Sequence, residues 1–475
     1  MSTQIPVILK SQHVCAYCHA RKQRCDKALP SCSRCASKML SCHYGSVAGK
    51  SLAKEPGTAS VSRLIERRGD CCSPDLSQIG TKELLLAACG IDDDGVPSMT
   101  GLIYDFLDAS RISLLDLADE YFATVHRWLP IINGSSFYRR IHSSRWPNDD
   151  QFALLVYSIF LVTRLPCASG RHSMRTQLYR ILSRVFVMQA SENATLELLQ
   201  TGLLIAVYSC GHGMAREAFM ILSTCAAVVR LLEAEKSLDN CGNYQDAELE
   251  ACWGALALLD SINAVCCIQS ITPLALPPEQ PSTSVPPNCD VDGPFESFRA
   301  ISSIAQRIRP ALYYLHDAKN AKEAHDTYNT VCVDLQFLVC DLLNASNSKA
   351  RIYCESNAFA VSTRFVVQSS HASVRALDFI SHDLPVIKSA LELRSTLRMV
   401  IDMARAATAT LREQDGQPAR VSFVGLCAVF RAAVLAVRLD GGAMGEEDLD
   451  ALKEGLRMFG IRWGIAGVYE RHLDE

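Results

Sequence analysis

Six cysteines within 28 residues near the start of the chain limit what its N-terminal segment can be. They are Cys15, Cys18, Cys25, Cys32, Cys35 and Cys42, in the spacing C-x2-C-x6-C-x6-C-x2-C-x6-C. One half-motif, C-x2-C-x6-C, is written twice. Two thiolates on one turn hold one face of a metal ion, and a third arriving after a short helix extends the grip. Structural zinc takes four tetrahedral ligands, usually Cys or His. Six thiolates give two zinc ions four each only if two are shared. The symmetry of the halves points to the leading cysteine of each, Cys15 and Cys32, as the bridges. Two zinc ions then hold a module too short to have a hydrophobic core.

Charge is distributed just as unevenly. The 475-residue chain has a net charge of −4, yet residues 1–50 carry eight Lys and Arg against Asp26 alone. A small basic head on an acidic body is the footprint of nucleic-acid binding by the head. Hydrophobic residues make up 49% of the chain, enough for most of it to bury a core. No charged start followed by an apolar run marks a signal peptide. No apolar stretch reads as the roughly 18–20 residues that span a bilayer. The longest, Phe152 to Val162, is bounded by Asp149, Asp150 and Arg164 and fits a buried helix. These features place the protein inside the cell, without a membrane partner. Thiols stay reduced there, so grouped cysteines are metal sites rather than disulfides. The other fifteen cysteines, among them Cys71, Cys72, Cys210, Cys252, Cys266, Cys267 and Cys427, lack ligand spacing. They read as small buried hydrophobes, with redox sensing as the residual role.

Four segments follow. Residues 1–14 form a loose arm and residues 15–42 the metal module. Residues 43–101 are a linker broken at Pro56-Gly57, Ser73-Pro74 and Val96-Pro97, with at most one short helix near Lys82 to Cys89. Residues 102–475 are helical. From about residue 110 apolar side chains recur at helical spacing. Leu114, Leu117, Ala118, Tyr121, Phe122 and Val125 make one stripe, started by a Ser113/Asp116 capping box and ended by Pro130. Leu249, Cys252, Trp253, Leu256 and Leu259 make a second. Leu449, Leu452, Leu456 and Phe459 make a third, with Glu446, Glu447 and Asp448 in its first turn, where negative charge suits the helix dipole. Seven prolines in 273–294 mark an irregular crossover between two helical halves. Strand alternation is hardly visible.

The run Cys15-Ala-Tyr-Cys18-His-Ala-Arg-Lys-Gln-Arg-Cys25-Asp, with Pro30 before the fourth cysteine, resembles the fungal Zn(II)2Cys6 binuclear cluster. That cluster is the DNA-binding domain of a large family of fungal transcription regulators. Tyr121 to Pro130, Glu250 to Asp260 and Arg462 to Tyr469 are similar to the opening, central helix and ending of the family's helical regulatory region, the middle homology domain. The fold class expected is mostly α: a small Zn2Cys6 module plus a large all-α-helical regulatory domain. The family often pairs two chains through a coiled coil after the cluster. Val61, Leu64 and Ile65 do not extend into such a heptad here, so monomeric binding and pairing through the helical domain both stay open.

Each half-motif is expected to start a short helix at its second cysteine. Arg21, Lys22 and Arg24 lie between Cys18 and Cys25, whereas only Lys38 lies between Cys35 and Cys42. The first helix is therefore the one to enter the major groove, where lysine can donate to guanine O6 and N7. The resemblance places Lys22 on a CGG-type triplet of double-stranded DNA, with Arg21 beside it. Arg24, Lys27 and Arg34 are assigned to phosphates, which position the module without reading sequence. His19 stands where the family often has a basic residue. His13, His19 and His43 are not needed as ligands, since six thiolates fill both sites. The run Gly45 to Ser51 is one residue short of a P-loop and follows no strand. Asp92 to Asp94 lacks calcium-loop alternation. No catalytic set is found. The expectation is a nuclear, zinc-dependent regulator of RNA polymerase II transcription, serving a biosynthetic gene cluster or nutrient pathway. A thiol-rich metal or redox sensor, and a helical enzyme with an accessory zinc module, are the rivals. No small-molecule effector is legible.

Overall fold

Helices make up the regular structure of this chain, and no strand occurs among its described residues. The structure, a computed structural model, describes residues 14, 18–19, 21–28, 32–38, 99–109, 112–142, 150–164, 174–236, 245–266, 273–277, 293–317, 321–376, 384–413, 422–439 and 445–474. The coiled-coil test at Val61 to Ile65, the helix near Lys82, the P-loop-like run and Asp92–Asp94 fall outside these residues.

The chain divides into two units, Met1–Ser60 and Val61–Glu475. In the first, the described core is made of sulfur. Cys18, Cys32 and Cys35 are fully buried, with Val14 and Cys25 packed on them. Among its described residues, helix α1 spans Ser33–Ser37.

The second unit starts with α2 (Met99–Ala109), α3 (Leu114–Ala123), α4 (Gly134–Ile141) and α5 (Asp150–Thr163). Next come α6 (Met174–Glu192), α7 (Leu196–Gly211), α8 (Ala215–Lys236) and α9 (Gln245–Cys266). After the crossover follow α10 (Gly293–Arg307), α11 (Arg309–Asp317) and α12 (Ala321–Ala376). The chain closes with α13 (Leu384–Glu413), α14 (Phe423–Leu439), α15 (Glu446–Gly460) and α16 (Ile465–Asp474). Two hubs organise them. Helix α7, apolar on every side and buried from Leu198 to Gly211, packs against α5, α6, α8 and α9. Helix α12 packs against α10, α11, α13 and α14. Helix α9 belongs to both groups, touching α7 and α8 on one side and α10 and α14 on the other.

The three expected stripes are buried or half-buried in this core. Ser113 caps α3 by accepting from the Asp116 amide at 3.0 Å. The helix does not run to Pro130, however. It stops at Ala123, because Thr124 leaves helical geometry (φ −123°, ψ −86°) and its hydroxyl donates back to the Glu120 carbonyl at 2.6 Å. Val125–Arg127 continues as a 3-10 turn, so Val125 reaches the core from outside α3. Phe152 to Val162 is a buried helix, as expected. The expectation about apolar length needs correction. The segment Ala247–Cys266 of α9 is long and apolar enough by composition to cross a membrane, but 83% of it is buried inside the protein, which makes it a core helix. Glu248, Glu250 and Asp260 hid this run in the sequence. Cys210, Cys225, Cys252, Cys266 and Cys427 are buried, whereas Cys340 and Cys354 are exposed. Cys71, Cys72 and Cys267 lie outside the described residues.

Residues 273–277 are irregular, as the prolines require, but they are firmly held. Asp260 on α9 accepts from the amides of Ala275 (2.8 Å) and Leu276 (3.1 Å) and pairs with Arg309 of α11 at 3.1 Å. Arg309 and the Tyr313 hydroxyl both donate to the Leu276 carbonyl. Burial pushes the Asp260 carboxyl above the usual range, while these donors pull it back. Asp260→Ala leaves a buried guanidinium without its carboxylate, a change that costs about 3–5 kcal/mol. We expect a lower urea midpoint and faster proteolysis within 273–294. An unchanged midpoint would show that the network does not hold the crossover.

Candidate metal centre and nucleic-acid interface

Four of the six motif cysteines, Cys18, Cys25, Cys32 and Cys35, are among the described residues; Cys15 and Cys42 are not. Two groups of ligand atoms form. The Sγ atoms of Cys18, Cys32 and Cys35 lie within 4.8 Å of one another, and so do ligand atoms of Cys25, Asp26 and Cys32. Cys32 is common to both. The Cys18 and Cys32 sulfurs are 3.8 Å apart. Two sulfurs on one tetrahedral zinc, with bonds of about 2.3 Å, stand about 3.8 Å apart. The thiol set therefore fits zinc in chemistry and in spacing. His19, exposed, belongs to neither group.

The second half-motif builds its helix earlier than expected. Helix α1 starts at Ser33, not at Cys35, because Cys32 is its N-cap. The Cys35 amide donates to Cys32 Sγ at 3.4 Å, and the Ala36 amide to the Cys32 carbonyl at 2.9 Å. An amide aimed at sulfur favours the thiolate, the form that binds metal.

In the first half-motif Cys18 and His19 are helical, and the helix closes almost at once. The Gln23 amide donates to the Cys18 carbonyl (2.8 Å) and the Lys22 amide to the His19 carbonyl (3.1 Å). This bond pair is a Schellman ending, in which the residue at the position of Lys22 turns left-handed and is usually glycine. Lys22 has φ 50°. Thus Arg21, Lys22 and Arg24 do not line a helix, as the sequence led us to expect; they sit at its end and just past it. All three are exposed, while Lys27 (φ 60°) and Arg34 are half-buried. Sequence reading missed the residue that joins the halves. Asp26 accepts from the Ser33 amide through both oxygens (3.1 and 3.2 Å), from the Ser33 hydroxyl, and from the Ala28 amide (3.4 Å). Those donors, the Ser33 hydroxyl foremost, hold its carboxyl below the usual range. Its signal was present: Asp26 is the sole acid among the first fifty residues.

Removing an outer-shell partner of a metal site typically weakens metal binding by about 10–100-fold. Asp26→Ala is expected to lose zinc affinity on that scale in competition with a chromophoric chelator, and Ser33→Ala to lose less. Wild-type affinity in Asp26→Ala would make the clasp incidental.

Residues 13–51 match the family model of the fungal Zn(2)-Cys(6) binuclear cluster domain. No curated protein matches the chain. The matched segment contains both groups of ligand atoms, and domains of this kind bind two zinc ions. The chain therefore carries a fungal Zn(2)-Cys(6) binuclear cluster domain at its N-terminus, the zinc-dependent DNA-binding module of a transcription regulator.

Proposed function

We propose that residues 15–42 read a CGG-type half-site in double-stranded DNA, with Lys22 on the bases, Arg21 beside it, and Arg24, Lys27 and Arg34 on phosphates. The observation that carries this reading is the left-handed Lys22, exposed at the end of a turn that begins on a zinc-binding cysteine. A non-glycine residue in that conformation costs about 1–2 kcal/mol. Such strain collects at functional positions, where the surroundings impose it. Cys15 and Cys32 bridge the two zinc ions; the place of Cys32 in both ligand groups supports its half of that assignment. Zinc supplies rigidity here, and the chain's own cations supply the contact.

Residues 102–475 form the regulatory part, similar to a middle homology domain, behind a linker of 43–101. The protein acts in the nucleus on RNA polymerase II transcription, in a biosynthetic or nutrient pathway, and is not an enzyme. The chain binds either as a monomer or as a pair formed through the helical unit, since the segment after the cluster carries no sustained heptad.

Chelation of zinc is expected to unfold residues 15–42 and abolish gel-shift binding, while the far-UV helical signal of the second unit persists. Binding that survives complete zinc removal, read by site selection from random DNA, would sink the mechanism, and selection of no DNA site by the zinc-loaded chain would favour a thiol sensor.

Lys22→Gly relieves the left-handed strain, so zinc affinity is expected to hold or rise while sequence preference falls. Arg24→Ala is expected to keep the preference and flatten the log–log salt slope by about 0.9. A preferred site left unchanged by Lys22→Gly would remove Lys22 from base reading.

A further inference from the structure

Three arginines are buried among the described residues, and two of them have partners. Arg309 pairs with Asp260, and Arg462 donates to the Val162 carbonyl and lies over the Trp463 ring. Arg364 of α12, 8% exposed, pairs with no carboxylate, and its Nε is buried without a hydrogen bond. Gln368, 3% exposed, follows one turn later, and neither the nitrogen nor the oxygen of its amide has a partner. At about 100° per residue, the two side chains leave α12 within about 40° of each other. Buried cations are paired and buried amides are hydrogen-bonded. A guanidinium and a whole amide, both unsatisfied on one face, point to a ligand that satisfies them together.

The surroundings limit its chemistry. Glu355, nine residues before Arg364 and so on the opposite side of α12, lies against Gly425 of α14. The Arg364 face looks the other way. There its charge acts on the Cys332 thiol. A straight helix would part residues 332 and 364 by about 48 Å, so α12 bends back within its 56 residues. Cys332 hydrogen-bonds Tyr328, whose ring lies 6.0 Å from that of Tyr314 on α11. Burial raises both the Cys332 thiol and the Tyr328 phenol above their ordinary values, so both stay uncharged at neutral pH. Glu392 of α13 acts on both groups and adds negative charge to that side. Ala360, Val361 and Val367, which flank Arg364 on the helix, are buried and apolar.

We propose that Arg364 and Gln368 bind a small organic monocarboxylate that carries a hydroxyl beside its carboxylate. The guanidinium fork matches the two carboxylate oxygens. The Gln368 amide nitrogen donates to the same carboxylate, and its oxygen accepts from the hydroxyl. One guanidinium balances one negative charge. A phosphate dianion would leave a charge unbalanced with Glu392 nearby, and an ammonium in place of the hydroxyl would stand beside the guanidinium. A regulatory meaning for the site rests on the reading of residues 102–475 as the regulatory part; the binding itself does not.

The test is a thermal melt of the zinc-loaded full chain, titrated with sodium lactate and, at matched ionic strength, with sodium propionate, sodium phosphate and sodium chloride. A ligand that binds only the folded chain raises the midpoint as its concentration passes its Kd. For so small an acid that Kd is on the order of 10⁻³ M, and titration to about 50 mM covers it. Lactate is expected to raise the midpoint, propionate to raise it less, and phosphate no more than chloride. Arg364→Met removes a charge-assisted pair and is expected to weaken lactate binding at least about tenfold. Arg364→Lys, which keeps the charge without the fork, is expected to lose less, and Gln368→Leu to bring lactate down to propionate. Without ligand, Arg364→Met is expected to melt no lower than wild type, because an apolar side chain replaces an unpaired buried charge. A wild-type midpoint that lactate moves no more than chloride overturns the site. Phosphate ahead of lactate overturns the monocarboxylate class. An undiminished lactate response in Arg364→Met, or a ligand-free melt well below wild type, overturns the role given to Arg364. Lactate binding that leaves gel-shift affinity unchanged supports the site and counts against the regulatory reading instead.

Discussion

The position of one sulfur governs the first unit. Cys32 Sγ lies within 4.8 Å of the Cys18 and Cys35 sulfurs and also of ligand-type atoms of Cys25 and Asp26. The described part of this unit offers only Val14 and its cysteines as a core. Apolar burial at about 25 cal/mol per Å² cannot offset the ordering of some thirty residues, each costing about 1.5 kcal/mol. Metal–thiolate bonds can, since apparent binding energies for structural zinc reach about 10–16 kcal/mol per ion. The Asp26–Ser33 clasp then fixes the entry of the second half relative to the end of the first. It does so with a carboxylate that accepts, so it adds no competing cation to the basic surface.

Rigidity in that frame explains why lysine can occupy a glycine position. In a free peptide the left-handed turn at Lys22 would relax. Here it is set between Cys18 and Cys25, seven residues apart in a unit whose described core is built on cysteine. The consequence is geometric. A side chain leaving from the end of a short helix projects along its axis, whereas one leaving from its middle projects sideways. The cations are thereby gathered at one end of the turn.

What was legible in the sequence follows from the range of each interaction. The cysteine register is local and could be read. So could the three apolar stripes, the Ser113 cap and the acidic first turn of α15, because periodicity and capping act within a few residues. The ends of elements were less legible. Thr124 stops α3 seven residues after Leu117 by backbone geometry, and no single residue type announces that. Cys32 starts α1 because its sulfur doubles as a cap, a role that cysteine seldom signals. Contacts between distant positions were not legible at all. Asp260 meets Arg309 forty-nine residues on, and neither residue announces the other through local spacing.

The demands of specificity bear on both units. A well-placed base contact discriminates by about 1–3 kcal/mol. A regulator searching a genome needs about 4–10 kcal/mol over non-specific DNA. On the assignment proposed above, one module with a single base-reading lysine would fall short of that, and phosphate contacts through Arg24, Lys27 and Arg34 would raise all sites alike. Doubling the module would close the gap. The pairing need not be tight, because a second module held near the DNA by the first acts at an effective concentration of about a millimolar. A weak contact between two copies would be ample under those conditions. It would also leave the chains separate at low abundance, so that occupancy would rise steeply with the amount of protein.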